Sequence, residues 1–112
     1  PAMNHLSPLL ILCTCPDLAT AERIAETVVG ERLAACANIV PGLTSIYRWH
    51  GQVQRDSELL LLIKTREAVY SLLEARIREL HAYQVPEIIA LPIQTGSAAY
   101  LDWIAASTGA PV

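Results

Sequence analysis

The sequence has two apolar strand-like runs that do not alternate. Leu9-Leu10-Ile11-Leu12 and Leu59-Leu60-Leu61-Leu62-Ile63 place large aliphatic side chains at consecutive positions. A strand turns successive side chains to opposite faces. These segments therefore demand burial on both faces, whereas a half-exposed antiparallel sheet alternates apolar and polar residues. Both runs are too short to cross a bilayer, which takes about 20 apolar residues. The chain has 112 residues, of which 53% are hydrophobic and 17% charged. That is enough for one domain over 1–112, but the apolar excess exceeds what one small core absorbs. Obligate subunit interfaces are core-like in composition, so a homo-oligomer is the expected sink.

The remaining pattern gives an alternating order of elements. Pro8 to Cys15 reads as a buried strand ended by Pro16-Asp17, with Asp17 as cap of a helix carrying Ala21, Ile24, Ala25, Val28 and Val29. Leu33 to Tyr47 is extended and interrupted at Pro41-Gly42, where a bulge is expected because proline cannot donate to a ladder. His50-Gly51 forms a tight turn, and the chain returns through Glu58–Thr65 as a long hairpin. Thr65 is the expected cap of a second helix with Val69, Leu72, Leu73, Ile77 and Leu80 on its buried stripe. Glu87–Leu91 is a fourth strand, with Pro92 marking a sheet edge, and Ser97 caps a short last helix. The segments 1–7 and 108–112 read as loose tails, with His5 in the first. The expected class is α+β: a ferredoxin-like βαββαβ sandwich with a long β-hairpin and a short C-terminal helix. Right-handed crossovers then put both main helices on one face.

Net charge is −3 without a Lys/Arg cluster, so neither nucleic acid nor a membrane is an expected partner. Three cysteines, an odd number in apolar segments, point to reduced thiols and a cytoplasmic protein. No signal peptide pattern is visible. Neither a Ser-His-Asp arrangement nor a phosphate loop occurs, so no catalytic residue is expected.

The segment Leu80-His81-Ala82-Tyr83-Gln84-Val85-Pro86-Glu87 joins helix to strand and carries an imidazole, a phenol and a carboxylate. Cys13 and Cys15, two apart, share a strand face and could hold a soft metal. The leading reading is that they act as small apolar core residues, as Cys36 is expected to do. His81 sits at a helix C-terminus, where the macrodipole favours a protonated imidazole. Lys64, Tyr83 and Glu87 suggest a Lys64–Glu87 pair or a polar cleft for a small ligand or anion. Trp49 and Trp103 are expected at an interface, where aromatics are enriched. His50 is expected to be exposed.

Several segments together resemble the CutA family of divalent-cation-tolerance proteins. They are Leu12-Cys13-Thr14-Cys15-Pro16-Asp17, Arg32–Ile39, Pro41–Gly51, Ile63-Lys64-Thr65, His81–Ile89 and Tyr100-Leu101-Asp102-Trp103. They fall in family order over about positions 10 to 104. The resemblance implies a cytoplasmic homotrimer of ferredoxin-like subunits, akin to the PII signalling proteins, and a link to tolerance of copper or another divalent metal. It implies no established reaction. It also implies metal ligation by Cys13 and His81. The competing implication is a PII-like regulatory module that binds a protein partner or small metabolite at inter-subunit clefts, with Trp49, Lys64, Tyr83 and Glu87 lining them. The chain departs from the family pattern at Ala82, where proline is usual, and at Leu80, where a second histidine can stand. His50 precedes the turn glycine in place of an acidic or amide residue and is an alternative ligand.

Overall fold

A computed structural model describes residues 7–110. Strand β1 (Pro8–Cys15) leads into helix α1 (Leu18–Gly30), then strands β2 (Cys36–Trp49) and β3 (Gln52–Arg66). A short 3-10 turn, Glu67–Val69, precedes helix α2 (Tyr70–Leu80), strand β4 (Ile89–Pro92) and helix α3 (Ala98–Ala106). The sheet runs in the order β2-β3-β1-β4, and every neighbouring pair is antiparallel. Through β4 this is the expected βαββαβ succession, an α+β fold with one four-stranded sheet and three helices.

One face of the sheet carries the core. Ile11, Cys13 and Cys15 of β1 and Leu61 and Ile63 of β3 meet Ala21, Ile24, Ala25 and Val28 of α1 and Leu73 and Ile77 of α2. Asp17 caps α1 by accepting from the Thr20 N–H at 2.8 Å. The α1 exit is closed by the N–H groups of Leu33 and Ala34, which donate to the Val28 carbonyl. The second helix starts differently from the expectation. Thr65 still belongs to β3, wholly buried, and donates its hydroxyl to the Leu33 carbonyl at 2.7 Å rather than capping α2. Leu72, expected on the buried stripe, is 64% exposed, while Val69, Leu73 and Ile77 of that stripe are buried.

The opposite face follows from the register. Leu12 stands between Ile89 and Leu62, and Leu10 between Leu91 and Lys64. Directly paired residues share a face, so Leu10, Leu12, Leu60, Leu62, Ile89 and Leu91 form an apolar surface on the side away from α1 and α2. Ile89 and Leu91 are 49% and 43% exposed. Cys36 pairs with Lys64 and so lies on this open face, half-buried, rather than in the core.

The β2–β3 hairpin runs past the rest of the subunit. The radius of gyration is 14.8 Å, against about 13 Å for a compact chain of this length. A register shift between Val40 and Leu43 places the bulge at Pro41-Gly42, as expected. His50 and Gly51 both take positive φ at the hairpin tip, the conformation of a two-residue turn matching strand twist. β4 begins at Ile89, two residues later than expected, since pairing with β1 starts at Leu12. Ser97 caps α3 through the Tyr100 N–H. Thr108 and Gly109, assigned to a loose tail from the sequence, are bonded into the fold. Thr108 accepts from Arg66 at 2.8 Å, and the Gly109 carbonyl accepts from Arg32 at 2.6 Å. His5 lies outside the described residues.

Candidate functional site

The end of β1 carries two sites on its two faces. Strand alternation turns Cys13 and Cys15 toward the helices and Thr14 away from them. His81, the first residue past α2, closes over the strand end. Its Nε2 lies 2.7 Å from the Thr14 carbonyl and 3.9 Å from Cys15 Sγ. Its Nδ1 accepts the Tyr83 N–H at 3.1 Å. With Nδ1 an acceptor, Nε2 carries the proton and donates it to Thr14. Both ring nitrogens are thus engaged, one by the Thr14 carbonyl and one by the Tyr83 N–H. The Arg23 guanidinium holds the turn by donating to the Leu80 carbonyl at 2.8 Å.

Cys13 Sγ, Cys15 Sγ and a His81 ring nitrogen lie within 4.8 Å of one another. Both thiols are buried and free, and His81 is half-buried. The pair divides its acidity unequally. Cys13 is held far above the ordinary thiol range by its hydrogen bond to Cys15, then by burial and the nearby Glu87 and Glu58 charges. Cys15 is lowered, chiefly by the Cys13 hydrogen bond. Two sulfurs and an imidazole are a soft donor set suited to Cu(I) or Zn. Three donors at about 2.0–2.3 Å from one ion stand about 3.3–4.0 Å apart, so holding an ion would draw the three groups together by up to about 1 Å. Sequence reasoning named Cys13 and His81 as ligands and weighed Cys15 only as the partner of Cys13. The two-residue spacing was the signal that puts Cys15 in the same set.

On the other face, the 81–88 loop and the hairpin enclose a pocket of about 610 Å³. Trp49, Tyr83 and Glu87, three of the four residues expected at a cleft between subunits, line this pocket of the single subunit. Lys64 does not. It sits farther along β3, opposite Leu10, and its ammonium is bonded to the Asn38 side chain. The expected Lys64–Glu87 pair is therefore replaced. The buried carboxylate in this region is Glu58, which is 7% exposed and accepts from the Tyr83 hydroxyl at 2.5 Å. Tyr83 is pushed well above the ordinary phenol range by burial and then by that bond. Beside it, the Tyr47 hydroxyl is bonded to the Asp56 carboxylate. Glu58 was missed from sequence, although its alternation phase with Leu60 and Leu62 places it on their face. His50 packs edge-on against Trp49 at the hairpin tip, with ring centroids 4.9 Å apart, and does not belong to the thiol–imidazole cluster. Trp103 lies on α3 against Tyr100 and is 44% exposed.

The comparisons with known proteins agree with this architecture. Residues 9–107 match the family of the CutA1 divalent ion tolerance protein. The chain is 55% identical over 100 residues to the divalent-cation tolerance protein CutA of Thermus thermophilus, covering 89% of this chain and 97% of that protein. A solved structure of the Thermus thermophilus protein superposes with a TM-score of 0.90 at 54% identity, over 91% of this chain and 99% of that one. Protein CutA 1, chloroplastic, of rice is 46% identical over 89% of this chain, which spans only 56% of that longer protein. The structure of a periplasmic divalent cation tolerance protein CutA from Archaeoglobus fulgidus also matches, with a TM-score of 0.86 at 35% identity over 89% of this chain and 97% of that one. Shared sequence, shared fold and the match across nearly all of the sheet and helices make this chain a member of the CutA1 divalent ion tolerance family.

Proposed function

We propose that this protein binds copper, or another soft metal ion, at Cys13, Cys15 and His81, as a homotrimer and without catalytic turnover. The observation that carries the reading is the convergence of two buried thiols and one imidazole within 4.8 Å. Binding requires deprotonated ligands. Cys15 is predisposed to lose its proton, and Cys13 would release its proton to solvent as the ion binds. To ligate through Nε2, His81 would give up its bond to the Thr14 carbonyl and carry its ring proton on Nδ1, which would end the acceptance of the Tyr83 N–H there. Affinity therefore rises with pH. The half-buried position of His81 gives the ion its route in.

Support for association comes from the open sheet face. Leu10, Leu12, Leu60 and Leu62 are only half-covered in the single subunit, beside the exposed Ile89 and Leu91. Each such side chain shielded by a neighbour stabilises the assembly by about 1.5–3 kcal/mol. Three copies meeting about an axis would cover these faces, with the long hairpins reaching across to adjacent subunits. A cytoplasmic setting fits the free thiols, which an oxidising compartment would endanger.

Competition titration with Cu(I), run on the wild type and on Cys13→Ser, Cys15→Ser and His81→Ala variants, tests the metal site. Loss of affinity by roughly a hundredfold or more in each variant is expected, since even indirect supports of a metal site are worth 10–100-fold. Unchanged affinity in all three removes the cluster from metal binding. Sedimentation at micromolar concentration tests the trimer, and a folded single copy overturns it.

A further inference from the structure

Cys13 and Cys15 stand two positions apart on the covered face of β1, and both are wholly buried beneath the subunit's own helices. Their relation is set inside one strand, on the face away from any neighbouring copy. Their side chains leave the strand on the same side, and the two sulfurs lie within 4.8 Å of each other. Two residues of extended strand advance about 6.6 Å, and disulfides join Cα atoms about 4.4–6.8 Å apart. The pair therefore sits at the outer limit of that range. A bond closes if the strand shortens slightly, and the product is strained. The backbone here has room to shorten. β4 pairs with β1 only from Leu9 to Leu12, so from Cys13 onward the strand is laddered to β3 alone, and it ends at Cys15. The Thr14 carbonyl between the two cysteines accepts from the His81 ring instead of a strand. Strand ends held along one side open locally more readily than the middle of a sheet.

We infer that Cys13 and Cys15 form a peroxide-reactive dithiol, which closes to an intrastrand disulfide when hydrogen peroxide oxidises it. Cys15 is the attacking sulfur. It is the last residue of the strand, and its Sγ lies 3.9 Å from Nε2 of the half-buried His81, whereas Cys13 lies deeper along β1. Cys15 Sγ attacks one peroxide oxygen and the O–O bond breaks. The sulfur becomes a sulfenic acid, and the departing hydroxide takes the thiol proton and leaves as water. Cys13 Sγ then attacks that sulfur. The S–O bond breaks, and the released hydroxide leaves with the Cys13 proton as a second water. Two thiols have lost two protons and two electrons, and one peroxide has become two waters. Burial selects the oxidant, because hydrogen peroxide is small and neutral whereas bulky disulfides and alkylating reagents need an accessible sulfur. Strain keeps the bond reversible, since strained disulfides are more readily reduced than structural ones. Cys36 pairs with Lys64 on the opposite face and takes part in neither step. The consequence for metal rests on the function proposed above: the disulfide removes two of the three ligand atoms, so oxidation releases the ion.

The test treats the assembled wild-type protein, kept metal-free by a chelator, with a stoichiometric amount of hydrogen peroxide. It is then denatured in N-ethylmaleimide and its peptides are mapped by mass spectrometry. The expected product has Cys36 alone alkylated and Cys13 joined to Cys15, with two hydrogens lost per chain. Dithiothreitol should restore all three thiols. In Cys13→Ser, Cys15 should instead accumulate a sulfenic acid that dimedone traps. In Cys15→Ser, Cys13 should stay reduced over the time in which the wild type closes. Where either variant folds poorly, the wild-type map decides alone. Three alkylated cysteines after treatment overturn the inference. So does sulfinic acid at Cys13 or Cys15 in place of the bond, or a bond joining two chains through Cys36. Cu(I) titration of the reduced and the oxidised protein separates this inference from the metal site. Oxidation is expected to lower affinity by about a hundredfold or more, since even indirect supports of a metal site are worth 10–100-fold. A disulfide that forms in a protein with no Cu(I) affinity when reduced removes the metal site and leaves the dithiol standing. Equal affinity before and after complete closure overturns the coupling between them.

Discussion

The two faces of the central sheet are made of the same kind of residue and meet different fates. Leu61 and Ile63 are wholly buried beneath α1 and α2, whereas Leu60 and Leu62, one position away on the same strand, are only half-covered. Composition cannot separate the two sets. Alternation divides them into faces, and the helices cover one face because both crossovers return on the same side. The contrast shows that one layer of helices satisfies one set of aliphatics and leaves the other for a partner. It also shows that polar chemistry collects where the covering stops, at the end of β1, where His81 and Tyr83 arrive from the loop.

Substitutions on the two faces should separate in kind as well as size. Ile63→Ala on the covered face leaves a cavity under α1 and α2 and is expected to lower unfolding stability by about 2–5 kcal/mol. Urea titration at fixed protein concentration measures it. Leu62→Ala on the open face should act instead on association, by about 1.5–3 kcal/mol per shielded side chain. It should appear as a concentration-dependent shift in sedimentation with little change in the subunit's own fold. Equal effects of the two variants on unfolding, with no change in assembly, would break the distinction between the faces.

A smaller effect tests how the covered face is closed at its edge. Thr65→Val keeps the volume but deprives the Leu33 carbonyl of its buried donor, and about 1–3 kcal/mol of stability should be lost. Smallest is a pH effect. Tyr83 is raised by burial and its bond to Glu58, and Tyr70 is pushed up to about 12 by burial and its bond to Glu74. An unfolded tyrosine ionises near 10. Since the folded values are higher, the stabilisation is fully present below about pH 10 and is lost as pH rises through the folded values. Ultraviolet titration should show two phenols ionising late, and Tyr83→Phe should remove one of them. Four phenols titrating together near 10 would contradict the bonds described.

Much of the fold was legible because local signals and burial agreed. Asp17 and Ser97 cap the helices they were expected to cap, and the Pro41-Gly42 bulge and His50-Gly51 turn fall where backbone chemistry requires them. Thr65 misled because a capping residue and a buried strand threonine look alike in sequence; the Leu33 carbonyl decided between them. The site was half legible. Cys13, Cys15 and His81 carry recognisable ligand chemistry, and the structure brings them together from positions 66 and more residues apart. Lys64 and Glu87 looked complementary in charge, but the register sets Lys64 opposite Leu10, away from the pocket that holds Glu87. Glu58 escaped notice because its burial depends on a loop and a hairpin that close over it.

By itself the sequence determined the succession of strands and helices, the excess of apolar strand surface and the family to which the chain belongs. These follow from periodicity, composition and motif, which are properties of neighbouring residues or of their order. Only the tertiary structure decided which carboxylate is buried, which phenol bonds to it, and that thiols and imidazole meet across one strand end from the pocket. Those outcomes depend on register and on the path of one loop. A shift of a single residue in either exchanges the two faces of a strand, and no local pattern records that choice.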